Sequence, residues 1–159
     1  MFNGAHIHLL LNHVPILGPF FILPLLLYGV IRKNSVMDVA GLLLTVAVAA
    51  VTIPAYLTGE EAEDAVEDII GVSKSAIHDH EEQAEIAYYA MLMAGALALG
   101  TLLPVFKQKQ VSFALVWAVI AVLAVTLLLM TRTGNSGGKI RHSEISRTIN
   151  ESNSGEHDD

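Results

Sequence analysis

The sequence predicts an all-α integral membrane protein: four transmembrane helices in an antiparallel bundle, plus a short amphipathic surface helix between the second and third. Three observations carry this. Of 159 residues, 53% are hydrophobic and only 16% charged, against roughly 25% charged in soluble domains. Four apolar runs, at about 8–31, 36–57, 86–106 and 111–130, each approach the ~20 residues that cross a bilayer core. Two of them, GLLLTVAVAAVTIPAYL (41–57) and FALVWAVIAVLAVTLLLM (113–130), lack the polar face that a helix of a soluble bundle keeps.

The first run contains Pro15, Pro19 and Pro24, which predicts a helix kinked or irregular near its start. Arg32-Lys33-Asn34-Ser35 is a connection short enough to make helices 1 and 2 antiparallel neighbours. After Leu57 comes an acidic connection, 58–85. Thr58 followed by Glu61 has the spacing of a capping box, with Ala62, Ala65, Val66, Ile69 and Ile70 as the apolar stripe of a helix lying on the membrane surface and Gly71 ending it. A second start at Ser73 or Ser75 leads through His78 and His80 into the third span, and KQKQ (107–110) joins the third to the fourth. The reading is one transmembrane domain over 1–133. A polar tail over 134–159 follows, turning at Gly137-Gly138 and disordered from about 150.

Composition also excludes. No cysteine means no disulfide, thiolate metal site, iron–sulfur cluster or covalently attached c-type haem. A net charge of −7, carried outside the apolar runs, argues against nucleic acid as a partner. The first run, without Lys or Arg before Arg32, reads as its own insertion signal, with no cleaved leader. Arg32, Lys33, Lys107 and Lys109 crowd the two tight loops. Positive charge near the spans therefore puts those loops in the cytoplasm, with both termini and 58–85 on the outer side.

Four spans so connected bring all seven histidines to one face: His6, His8 and His13 before or in helix 1, His78 and His80 before helix 3, His142 and His157 beyond helix 4. His6 and His8 can be interfacial. His13 lies about a turn inside its span, where ionisable groups usually face a bundle interior and act as ligands or relays; its bland alternative is an imidazole bonded to a neighbouring helix. His80 begins a face that continues through Ala84, Ala87 and Met91, whose small residues leave room for a flat macrocycle or simply permit close packing. His78, in line with Glu82 and Glu85, reads as a solvated face. Three chemistries fit the cluster. One is a b-type haem held between His13 and His80, with His8 beside them. Another is a non-haem Fe, Zn or Cu site drawn from His13, His80, Glu60, Glu63, His142 and Glu144. The third is a polar network that docks a partner. No nucleophile–base set or phosphate loop appears.

The segments carrying these residues resemble an uncharacterised bacterial family of four-span membrane proteins, a domain of unknown function opening with His-Pro-x-x-Val-His-Phe-Pro. His8-Leu-Leu-Leu-Asn-His13-Val-Pro15 keeps the spacing of five between histidines and the His-x-Pro; Leu9 and Val14 depart from the family's Pro and Phe. Gly59 to Glu63 resembles the family's Gly-x-x-acidic stretch, His80 its histidine opening helix 3, and Gly137-Gly138 its glycine turn. The family's association with Rieske and cytochrome modules implies redox-cofactor binding in the inner membrane of a bacterium, in a respiratory or electron-transfer setting with other membrane subunits as partners. The alternative is a non-catalytic accessory or assembly subunit docking through its acidic outer surface.

Overall fold

The structure, a computed structural model, describes residues 4–65, 74–107 and 110–141. These residues are helical throughout apart from their connections: α1 (Gly4–Leu11), α2 (His13–Arg32), α3 (Ser35–Leu57), α4 (Gly59–Asp64), α5 (Lys74–Leu102) and α6 (Phe113–Arg141), with one 3-10 turn at Val105–Lys107. Four stretches are long and apolar enough to cross a membrane: Gly4–Arg32, Ser35–Leu57, Lys74–Lys107 and Phe113–Gly138.

The first apolar run is two helices, not one. Pro15 has no N–H to give the Leu11 carbonyl, and its ring crowds that carbonyl. The break falls at Asn12, between α1 and α2. From there the inward face of α2 runs through Pro15, Pro19, Ile22, Leu26 and Gly29. At the other end two residues separate α2 from α3. Lys33 takes the left-handed conformation (φ 51°), and its N–H and that of Asn34 close on the Val30 and Gly29 carbonyls (3.2 and 2.8 Å), the pattern that ends helices. Asn34 then caps α3, its Oδ1 accepting from the amides of Val36 (3.1 Å) and Met37 (3.3 Å).

α2 packs on α3 and α6, and α5 packs on the same two, so the four long helices close a ring with α2 and α5 at opposite corners. Small residues set how closely they approach. Gly41 sits under Leu26, Gly18 under Val48, and Gly95 directly against Ala49. The centre is filled by Leu26, Leu42, Met91, Leu102 and Leu123. Thr45, Thr52, Thr101 and Thr126 are also buried there. Each donates its hydroxyl to a carbonyl one turn back, at 2.7–2.9 Å, which satisfies the donor without a partner helix.

Two expectations change. Thr58 does not cap α4: its hydroxyl turns back to the Pro54 carbonyl (2.7 Å) and the Ala55 carbonyl (3.3 Å). The last turn of α3 has carbonyls without amide partners, and these compete for the hydroxyl. Val66, Ile69 and Ile70, the rest of the expected amphipathic stripe, lie outside the described residues. α6, moreover, does not stop near 130 or turn at the double glycine; it runs on to Arg141 because Thr133 and Ser136 are buried against α5. The tail beyond 141 lies outside the described residues.

The close approach at Gly95 is open to test. A Cβ there would overlap Ala49, whereas one at Gly100 meets nothing within 4 Å. Gly95→Val should destabilise the detergent-solubilised protein by about 1–3 kcal/mol, while Gly100→Ala should leave it unchanged or slightly stabilised. Thermal unfolding measures both, and equal melting temperatures for the two variants would refute the packing.

Candidate functional site

Beyond the break at Asn12, α1 packs on the end of α3 and on α4. Two bonds hold it there. The Gly4 amide, an unpaired donor of the first turn, is met by Glu61 Oε2 at 2.8 Å. At the other end of α1, His8 Nδ1 lies 2.8 Å from the Ala55 carbonyl in the last turn of α3. A carbonyl oxygen only accepts, so Nδ1 carries the hydrogen and Nε2 keeps its lone pair. Gly59 lies alongside the His8 ring, where a Cβ would stand 3.7 Å from Cε1.

His80 is built the same way from the opposite side. The inward face of α5 carries it, in register with Ala87, Met91 and Ala94, all fully buried. Its Nδ1 lies 3.1 Å from both the Thr133 carbonyl and Ser136 Oγ. The Ser136 hydroxyl donates to that same carbonyl (3.0 Å), so both oxygens accept from one Nδ1–H and Nε2 is again the free nitrogen. The Thr133 hydroxyl is placed to donate to the Gln83 carbonyl (3.1 Å), tying α6 to α5 at this level. Gly137 lies against the ring: a Cβ there would come within 3.0 Å of Cε1. His8 and His80 are both half-buried.

The other sequence candidates are distributed differently. His13 is exposed. It stands two residues, or about 200° of helix, from buried Pro15, so the register that turns Pro15 inward turns His13 outward. His8, expected to be interfacial, takes the inward place instead. Glu60 is exposed and Glu63 half-buried. His78 is exposed and pairs with Glu81 (3.8 Å) and Glu82 (3.5 Å) of its own helix. His142 and Glu144 lie outside the described residues, among which no group of three or more His, Asp or Glu side chains is close enough to hold a metal ion.

Thr133, Ser136 and Glu61 are the partners that sequence reading missed as such. A signal for the first two was present, since they continue the inward series Val119, Leu123, Thr126 and Met130 past the last apolar residue. No family model, curated protein or solved structure matches this chain.

Both tautomers can be read directly. In protein labelled with 15N-histidine, His8 and His80 should show Nδ1-protonated imidazoles with Nε2 in the pyridine-like range. An Nε2–H tautomer at either residue would refute its bond to the carbonyl.

Proposed function

We propose that the chain is a four-span bacterial inner-membrane protein that binds a redox cofactor at one end of its bundle, through His8 and His80. The observation that carries this is the shared construction of the two imidazoles. Each is pinned through Nδ1–H to a backbone carbonyl of another helix, which leaves Nε2 as the donor. Ligating histidines are commonly oriented by such a bond. The donor set favours b-type haem over a bare ion. Two imidazoles match the axial positions of a haem iron, whereas zinc sites draw on three or four protein ligands. A bound haem would supply one-electron transfer. The protein's part would be to present two neutral imidazoles in fixed orientation, with Gly59 beside the ring of His8 and Gly137 beside that of His80. His13, first in line on sequence spacing, has no place in this pair.

The antiparallel, membrane-crossing arrangement is part of the same reading. Its support is the pairing of Gly29 with Asp38, Leu26 with Gly41 and Gly18 with Val48, which descends α2 as it ascends α3. Basic tight loops support placing the histidine end outside. A second reading, an accessory subunit that docks a partner through its outer surface, is supported by the exposed carboxylates Glu60, Glu61, Asp64, Asp79, Glu81, Glu82 and Glu85.

Visible spectra of the detergent-purified protein, expressed with ample haem, separate the two. A Soret band that shifts on dithionite reduction is expected. It should be lost in His8→Ala and in His80→Ala and kept in His13→Ala. A folded protein without a Soret band, or a band that survives both substitutions, would overturn the haem reading. Stoichiometric Fe, Zn or Cu in a sample without that band would favour a histidine-bound ion.

A further inference from the structure

A second cluster lies at the same end but on the outer surface, between α3 and α5. Tyr56, in the last turns of α3, stacks on Tyr88 of α5 with ring centroids 4.3 Å apart and planes 14° from parallel. Tyr89 meets Tyr88 edge to face at 5.2 Å and is 60% exposed. Glu85 and Glu81 stand one and two turns above Tyr89 on α5, and both are exposed. Glu81 has His78 as a neighbour, at 3.8 Å. α3 carries no Lys or Arg, and the one on α5 is Lys74 at its first residue, seven positions before Glu81 and eleven before Glu85.

The cluster marks a polarity boundary. Above it, residues 78–85 carry His78, Asp79, His80, Glu81, Glu82 and Glu85; from Ile86 to Phe106 there is no charged residue at all. On the apolar side of the rings Met93, one turn past Tyr89 on α5, is 58% exposed. Tyrosines at such a boundary sit at headgroup depth in a bilayer. An aromatic face attracts a cation, a carboxylate adds a charge-assisted acceptor, and a phenol can donate to a phosphate oxygen. Around the rings, carboxylates outnumber the basic side chains of α3 and α5, with Glu81, Glu82 and Glu85 all nearer to Tyr88 in sequence than Lys74 is, which disfavours an anionic lipid.

We propose that the Tyr56–Tyr88–Tyr89 cluster with Glu85 and Glu81 is a binding site for the primary ammonium of a phosphoethanolamine lipid headgroup. The inference rests on the helices crossing a bilayer and is independent of the cofactor. Native mass spectrometry of the full chain in micelles with equimolar phosphatidylethanolamine, phosphatidylglycerol and phosphatidylcholine tests it. The wild type should retain the ethanolamine lipid about threefold to tenfold over either competitor. Glu85→Gln, an exposed change, should remove most of that preference, and Tyr88→Phe, which keeps the stacked ring, should weaken it. Equal retention of the glycerol or the choline lipid would overturn the assignment, as would a preference unchanged in Glu85→Gln. Carbonate extraction keeps the two failures apart. A chain stripped from membranes by carbonate sinks the membrane reading, whereas lost selectivity in a carbonate-resistant chain sinks only the lipid site.

Discussion

The histidine end of this molecule is organised by a backbone requirement. Helix ends leave amides and carbonyls without intrahelical partners, and near hydrocarbon there is little water to take them up. Here the missing partners come from other elements. The first-turn amide of α1 takes the Glu61 carboxylate, and the last turn of α3 takes the Thr58 hydroxyl and the His8 imidazole. An acceptor-only carbonyl fixes a tautomer. Satisfying the end of α3 therefore also decides which nitrogen of His8 is left to bind something else. Structural need and chemical availability are set by one hydrogen bond.

The two ends of the bundle solve the same problem with different means. At the tight-loop end the solution is local: a left-handed Lys33, a cap from Asn34, and a glycine at 29 that lets Asp38 be buried against α2. Nothing distant in sequence is required. At the histidine end the partners are 47 to 57 residues apart for α1 and 53 to 56 for His80. Such an end forms only once the long helices are in place, and its ordering depends on their register. The packing of Gly95 on Ala49, well below the site, and of Gly134 against Ile16, beside Thr133, sets that register, so small residues govern whether the imidazoles meet their carbonyls.

The long helices were legible because composition alone marks them: a run of about 20 apolar residues has few alternatives. The inward placement of His80 was legible too, since Ala84, Ala87 and Met91 hold one period along a single unbroken helix. The facing of His8 and His13 follows from a period too, since His8, Pro15, Pro19 and Ile22 hold i, i+7, i+11 and i+14 spacing through Asn12 and leave His13 on the other side; depth in the span had pointed to His13 instead. Thr133 and Ser136 were hidden for a different reason. Their polarity reads as the end of a span, whereas Thr133 and Ser136, three and six residues past Met130, continue its buried face. Hydropathy locates a membrane span, but it says little about where the helix itself ends.

On the proposed reading, the placement of the pair constrains what the protein can do by itself. Both imidazoles stand at one end. Between them and the tight loops, the core is Leu, Val, Ala and Met, with threonines turned to their own helix carbonyls. The helix rise puts Asp38 about 25 Å along α3 from Ala55, 17 residues at ~1.5 Å each. No second histidine pair stands at that depth among the described residues, so a cofactor held by His8 and His80 has no successor within this chain. Electrons entering there would leave on the same side, to a partner at the acidic face. The chain would then serve as a one-sided station in a larger assembly, and the bundle beneath it would act as anchor and insulator.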